Sequence, residues 1–470
     1  MRVRLLLVST LAAFAFPASA LADTFTKQDL TIAGAGGTPL AATLYEPTSA
    51  QPTGGYPAIV MFHGLGGTRA STNVLAEFFF AAQGYVVLTF DARGHGESGG
   101  LWGLDGPNEN GDARATYDLL AARPEVNANK IGAYGVSLGG GAVWNSTAIA
   151  KVPWAAIVPE ATWTSLYDAL FPQSLPKSGL IAQLGTLVPD ARTDPEILAR
   201  KPDAIAGTNL ADLHAFADAR SVRGKLSSVT TPTLMLQGRR DFLFDADQAL
   251  AAFKELRGPK RLYLGDFGHA PSSFASRDLE YMETEARQWF DRFLKDEPNG
   301  IDKRPPIELA KDPFTGTVSY AAFPPQSHLT LRARGGSFGT NAVVRTFRLP
   351  KRRLETFGAA TVTTTVTSSA PVAHLVGVLS AVVPDGTETV ISDGGVPLPV
   401  PAKARRVTIR FMNEVTAIPA GSRLKLTLAG TSGAQSAGNL LYLLGNPLGT
   451  RVTVGKVKVV LSTLARPVSR

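Results

Sequence analysis

The sequence predicts an α/β domain with an inserted helical cap, followed by an all-β sandwich, and three observations carry that prediction. From residue 25 to about 300, short apolar runs alternate with helix-like stretches, the pattern of a mostly parallel sheet covered on both faces. One interval, Trp163 to about Leu226, holds helix-like pieces but no good strand, as expected of a cap laid over the sheet's C-terminal edge. Beyond Asp296-Glu297-Pro298-Asn299-Gly300 and the pairs Pro305-Pro306 and Pro324-Pro325, the chain turns rich in Val and Thr with a two-residue alternation.

Taken in order, the first 22 residues read as a leader rather than as part of the fold. Arg2 and Arg4 give a basic start, Leu5 to Phe16 is an apolar run too short to span a bilayer, and Ala20-Leu21-Ala22 supplies small residues for cleavage after Ala22. A secreted or periplasmic protein is expected, with no membrane span in the mature chain. The expected division is a leader over 1–22, an α/β domain over 23–315 with its cap at about 163–226, and a β-sandwich over 316–470. Strands are predicted at Leu40–Tyr45, Ala58–Phe62, Tyr85–Phe90, Ile131–Val136, Ala155–Val158, Thr233–Leu236 and Arg261–Leu264. Helices are predicted at Ala70–Ala82, Asp112–Ala122 and Asp245–Leu256, and in the cap at Asp194–Arg200 and Leu210–Ala219. Later strands are predicted at Thr361–Thr367, Val407–Phe411, Leu424–Leu428 and Val452–Leu461, with turns at Pro384-Asp385-Gly386 and Pro419-Ala420-Gly421.

A chain of 470 residues can rest on packing alone, and it has to, because it contains no cysteine. Cysteine nucleophiles and thiolate metal sites are thereby excluded. The net charge of +8 falls to +6 once Arg2 and Arg4 leave. The basic residues are scattered, which describes a solvated surface and gives no reason to expect nucleic-acid binding.

Gly-x-Ser-x-Gly occurs three times, around Ser98, Ser137 and Ser337, and with 46 glycines the pattern alone decides nothing. Context does. A nucleophile elbow needs a strand running into the serine and a helix leaving it, with small neighbours so that strand and helix approach closely. Lys130–Val136 reads as that strand and Leu138–Trp144 as that helix, so Ser137 is the candidate nucleophile. Ser98 is followed by Leu101-Trp102-Gly103 and Pro107 instead of a helix, and Ser337 is preceded by a charged Arg332-Ala333-Arg334 and followed by a β-type run, Val343-Val344-Arg345.

A serine hydroxyl needs a base. Of the six histidines, His63 and His95 precede the serine, His214 falls in the cap, and His328 and His374 fall in the β region. His269, in the loop after Arg261–Leu264, remains. The third member should be an acid closing the preceding strand, and Asp241 after Thr233–Gly238 fits; Asp245, read as a helix N-cap, and Asp266, read as ordering its loop, are the rivals. The order Ser, Asp, His is that of α/β-hydrolases. The oxyanion amides are assigned to Leu138 and to Leu65, with Gly66 as its alternative, in His63-Gly64-Leu65-Gly66-Gly67. His63 itself reads as bracing that loop. Trp163, Phe242 and Phe244 are aromatic candidates for lining a substrate pocket, with an ordinary core role the competing reading. The loop Asp91–Gly100 lacks the Lys-Ser/Thr pair of a phosphate cradle and reads as a tight turn braced by Asp91 and Arg93. No cofactor or metal is implied, since the histidines lack ligand spacing.

Together, the Asp91–Gly100 loop, the Gly135–Gly139 elbow, Gln237–Asp241 and Gly268-His269 resemble the X-prolyl dipeptidyl-peptidase-like family of serine hydrolases, which includes cocaine-esterase-type acyl esterases. Pro384-Asp385-Gly386 and Ile418–Leu424 resemble that family's jelly-roll domain, so the likeness covers nearly the whole mature chain. It implies an α/β-hydrolase fold, a cap and a jelly roll that together wall the active site, and cleavage of either Xaa-Pro peptides or carboxylic esters and amides. Many members carry a tyrosine after the first oxyanion strand, where this chain has Leu65. That departure, with the short cap, favours an esterase acting on a small ester or amide over an Xaa-Pro exopeptidase acting on a short peptide. The reading from another class is a non-catalytic surface or binding protein with a vestigial hydrolase domain. Oligomeric state is left open by the sequence.

Overall fold

The computed structural model describes residues 24–399 and 404–469. The leader proposed for residues 1–22 lies outside them. Ten strands form one sheet: β1 (Phe25–Ala33), β2 (Pro39–Pro47), β3 (Tyr56–Phe62), β4 (Val86–Phe90), β5 (Val126–Val136), β6 (Ala156–Glu160), β7 (Thr233–Gly238), β8 (Lys260–Gly265), β9 (Ile307–Ala310) and β10 (Thr317–Tyr320). Their spatial order is β1-β2-β4-β3-β5-β6-β7-β8-β9-β10. The block from β4 to β9 is parallel, while β1, β2 and β10 add antiparallel edges. Every residue of β3 is buried, because alternate side chains serve two cores: Ala58, Val60 and Phe62 on one face, Ile59 and Met61 on the other.

The helices that cover these faces are α1 (Pro107–Ala121), α2 (Leu138–Ala148), α3 (Leu166–Leu170), α4 (Ser178–Leu184), α5 (Pro195–Ala206), α6 (Leu210–Asp218), α7 (Ala246–Glu255) and α8 (Leu279–Leu294). α1, α2 and α7 share one core with the sheet, and α8 shares the other. Helix ends follow from local chemistry: α5 starts with Pro195 behind Asp194, whose carboxylate accepts the Glu196 N–H (2.8 Å), and stops at Gly207 with φ +70°. The helix expected over Ala70–Ala82 is instead a broken run of 3-10 turns around a π-helical stretch, Leu75–Phe80. Phe80 is fully buried there against the rings of Tyr85, Tyr134 and Phe290, a packing that prevails over regular helix geometry.

Helices α3 to α6 all fall between β6 and β7 and are strapped to the loop that follows β4. The Trp102 N–H donates to the Arg192 carbonyl (2.8 Å), the Asp194 N–H to the Trp102 carbonyl (2.9 Å), and Arg192 reaches the Gly96 carbonyl (2.8 Å). No helix among the described residues is long and apolar enough to cross a membrane.

After β10 the chain builds two facing antiparallel sheets. In chain order their eight long strands are Gln326–Ala333, Val343–Arg348, Thr361–Ser368, Val372–Val382, Glu388–Pro399, Arg405–Arg410, Arg423–Ala429 and Val457–Leu464. One sheet runs first, eighth, third, sixth; the other runs second, seventh, fourth, fifth. That is the strand order of a jelly roll. The run expected as one strand over Val452–Leu461 is two, Val452–Val454 and Val457–Leu464, broken at Gly455-Lys456. Because β10 belongs to the large sheet, we place the boundary between the two units within residues 321–325 rather than at 315.

The junction buries apolar and polar groups together: Phe357, Val415, Leu464 and Val468 of the jelly roll join the core shared by the sheet, α1, α2 and α7. Arg239, at the end of β7, is fully buried and pairs with Glu355 of the jelly roll, itself fully buried. Arg239 also donates through Nε to the Val415 carbonyl (2.8 Å), and Glu355 accepts the N–H groups of Val468 (2.6 Å) and Ser469 (3.0 Å). Removing one partner of such a pair leaves an uncompensated buried charge. Arg239→Met is therefore expected to lower stability by about 3–5 kcal/mol in urea unfolding, whereas a loss within experimental error would show that the pair is not needed at the junction.

Candidate active site

The elbow is built from close backbone approach. Ser137 stands between β5 and α2 with φ +55° and ψ −114°, a conformation a non-glycine residue adopts only when its surroundings enforce it. Its N–H donates to the Glu160 carbonyl (2.9 Å) and its carbonyl accepts the Thr162 hydroxyl (2.8 Å). A methyl group on Gly135 would fall 2.2 Å from the Gly139 carbonyl oxygen, and one on Gly139 would fall 2.1 Å from the Phe62 carbonyl oxygen. These two glycines are what allow strand, helix and the end of β3 to meet behind the serine.

The Ser137 hydroxyl lies 2.9 Å from His269 Nε2, and His269 Nδ1 lies 2.7 Å from Asp241 Oδ2. A carboxylate only accepts hydrogen bonds, so Nδ1 carries the proton and Nε2 turns its lone pair to the serine. Asp241 is fully buried and its oxygens accept three backbone N–H groups as well: Leu243 (3.0 Å) and Phe244 (2.9 Å) on Oδ1, and His269 (3.0 Å) on Oδ2. The arrangement can draw a proton from the serine hydroxyl and hold the resulting imidazolium.

Leu138 opens α2, so its N–H belongs to the first turn, where no intrahelical acceptor exists. Leu65 lies in a turn closed by the Gly67 N–H on the Gly64 carbonyl (3.0 Å), and a methyl on Gly64 would stand 3.6 Å from Ser137 Cβ. The turn thus passes beside the serine. His63 braces it: Nδ1–H donates to the Gly64 carbonyl (2.8 Å) and Nε2 accepts the Ala92 N–H (2.9 Å). Burial, helped by neighbouring His95, holds its pKa down at about 4, so it stays neutral. Trp163 is buried, donates to the Arg220 carbonyl (2.8 Å) and meets Phe244 at 5.3 Å, and Phe244 presents an edge contact to His269 at 5.3 Å. Phe242 does not join them; it packs with Leu175, Met412, Leu441 and Tyr442.

The rival groups stand elsewhere. Ser98 is buried and accepts the Ala41 N–H (2.9 Å), while Ser337 pairs with Thr453 (2.7 Å) inside the jelly roll. Asp245 holds the N-cap position of α7, but its carboxylate accepts the Asn413 N–H (2.8 Å) instead of capping the helix. Asp266 orders its loop through its own N–H, on Asp278 (2.7 Å). The Asp91–Arg93 brace is corrected. Arg93 pairs with Asp112 (2.6 Å), while Asp91 binds the Arg69 guanidinium and backbone and the Glu97 N–H (2.8 Å). Sequence proximity suggested the wrong partner because Arg69 arrives from the neighbouring strand's loop.

The profile of the X-Pro dipeptidyl-peptidase (S15 family) matches residues 36–271, from the loop before β2 to just past His269. The chain belongs to this family. Among curated proteins, this S15-family chain is 35% identical over 130 residues to the quorum-quenching protein AidA of Acinetobacter baumannii, covering 27% of this chain and 41% of that one. It spans about two fifths of the length of the curated relatives it matches first. Among solved structures it is similar to a CocE/NonD family hydrolase from Staphylococcus aureus, with TM-score 0.72 and 15% identity over 93% of this chain and 94% of that one. It is likewise similar to an α-amino acid ester hydrolase, with TM-score 0.72 and 14% identity over 98% of this chain and all of that one. These likenesses establish the α/β-hydrolase fold with its C-terminal β region.

What sequence reasoning missed in this S15-family site is the acid beneath it. Glu160, whose carbonyl holds Ser137, is buried and accepts the Tyr134 hydroxyl; burial raises its pKa to about 7. Glu283 of α8 is raised to about 8, by burial and then by Glu160, and Asp393 of the jelly roll to about 7 by burial. Only the apolar packing around them could have signalled this. Each carboxyl binds its proton more tightly folded than unfolded. Their favourable contribution is whole below the ordinary carboxyl range and is lost as pH rises through the folded values. Melting temperature is therefore expected to fall between about pH 5 and 8, and Glu283→Gln to make that fall shallower in calorimetry. An unchanged slope in the variant would contradict the assignment.

Proposed function

We propose that this chain is an exported serine hydrolase that cleaves carboxylic esters or amides through an acyl-enzyme on Ser137. The observation that carries the reading is the unbroken hydrogen-bonded line Ser137–His269–Asp241 mounted on a strained elbow. Ser137 attacks the substrate carbonyl while His269 takes its proton and then returns it to the leaving group. Asp241 fixes the tautomer and balances the imidazolium, and the amides of Leu65 and Leu138 hold the oxyanion. Water then hydrolyses the acyl-enzyme by the same relay, with no cofactor. Trp163 and Phe244, packed together beside His269, form an apolar wall suited to an acyl or leaving group. Export is supported by the basic start, apolar run and Ala20-Leu21-Ala22 of the leader.

Within this chemistry, Leu65 favours esters: the turn beside Ser137 offers an aliphatic side chain and backbone amides, with no side-chain hydroxyl to aid the oxyanion. The family match favours the second reading, release of Xaa-Pro from peptides with a free amino terminus. Short p-nitrophenyl esters and Xaa-Pro-p-nitroanilides assayed side by side separate the two. We expect ester turnover that Ser137→Ala lowers by about four orders of magnitude or more. Anilide release dependent on Ser137 would make the protein a peptidase, and turnover that survives Ser137→Ala would end the proposal.

A further inference from the structure

We infer that Glu414, contributed by the jelly roll, is a positioning residue for Asp241, so that the β-sandwich takes part in catalysis by holding the triad's acid. The inference rests on the role proposed above for Asp241. The Asp241 N–H donates to Glu414 Oε2 at 2.9 Å, and both residues are buried. The contact is one rung of a longer clamp. Residues 413–415 lie along the loop that leaves β7: the Val415 N–H donates to the Arg239 carbonyl (2.7 Å), the Ala246 N–H to the Asn413 carbonyl (3.1 Å), and the Asn413 N–H to the Asp245 carboxylate (2.8 Å). Asn413 Nδ2 adds a bond to Asp247 (2.7 Å). From the cap, buried Lys177 grips the same loop, donating to the carbonyls of Phe242 (2.8 Å) and Leu243 (3.1 Å).

The loop is therefore held by two units outside the sheet that carries it as well as by its own. Within its own unit Asp241 Oδ1 turns back on the N–H groups of Leu243 and Phe244, and the loop meets the His269 loop through the Phe242 N–H on the Ala270 carbonyl (3.2 Å) and the His269 N–H on Asp241 Oδ2 (3.0 Å). Glu414 adds a constraint from the second unit, on the backbone N–H of the acid itself. Burial, with Asp245 and Asp241 nearby and Lys177 opposing them, pushes the Glu414 carboxyl well above its ordinary range. A protonated carboxyl keeps a carbonyl oxygen for the Asp241 N–H, and glutamine copies both its shape and its lack of charge.

The test compares Glu414→Met, which keeps the volume and removes the acceptor, with Glu414→Gln, which keeps both. Rates on a p-nitrophenyl ester are expressed per serine titrated with a fluorophosphonate, so that unfolded protein does not count. We expect Glu414→Met to lower kcat by about ten- to a hundred-fold with KM nearly unchanged, since a misplacement of about 1 Å in a catalytic group has that order of effect. Glu414→Gln should recover most of the loss. Wild-type kcat per titrated site in Glu414→Met, or equal losses in the two variants, would overturn the inference. Ser137→Ala run in parallel separates the failures: activity that survives it overturns the triad itself, whereas an inactive Ser137→Ala beside a normal Glu414→Met overturns only the role of Glu414. Hydrogen exchange on the wild-type chain decides if neither variant folds. The Asp241 amide must then exchange as slowly as those of β7, and exchange at the rate of an open loop would refute the contact.

Discussion

The buried carboxylate of Asp241 is the point on which the rest of the site depends. It has left water entirely, and four N–H groups replace that water: three from the backbone and one from His269. A carboxylate so enclosed leaves little rotational choice to its partners, and the imidazole is fixed with its proton on Nδ1 and its lone pair toward Ser137. The strain at Ser137 is the complement of this rigidity. Backbone at φ +55° brings the hydroxyl up to a base that does not move, and the contacts behind Gly135 and Gly139 hold it there.

Rigidity at Asp241 also explains the form of the junction between the two units. A jelly roll joined to the sheet only by a flexible linker would bury apolar surface and little else. Here apolar packing of Phe357, Val415, Leu464 and Val468 on the sheet's core is joined by Arg239, Asp241, Asp245, Glu355, Asn413 and Glu414, and three of these six polar residues lie in the loop that carries Asp241. Buried polar contacts of this kind add little net stability but accept only one relative placement, because any other leaves charges without partners. The polar part of the junction is therefore better suited to specifying geometry than to strengthening the fold.

How much of this the sequence revealed follows from the range of each interaction. Ser137, Asp241 and His269 were legible because each sits at the end of its own strand, and strand order in a parallel sheet turns chain order into proximity. The sandwich was legible in the alternation of Thr361–Thr367 and Leu424–Leu428. The links Asp91–Arg69, Arg239–Glu355 and Asp241–Glu414 were not. Each joins residues from separate elements, and nothing in the local pattern of either partner marks it. The π-helical stretch at Leu75–Phe80 was hidden for the same reason, since the rings that bury Phe80 come from β5 and α8 and the loop before β4.

The acids around the site differ in how many donors meet them. Glu160, Glu283 and Asp393 are buried with few donors, and burial lifts each toward the neutral form. Asp241 is buried just as deeply but is met by four donors. The difference between them is the count of N–H groups aimed at the oxygens, which the backbone of residues 241–244 and 269 supplies. By concentrating its donors on Asp241, the fold sets an acceptor with both oxygens satisfied against His269 Nδ1, and the ring's other nitrogen is left to face Ser137.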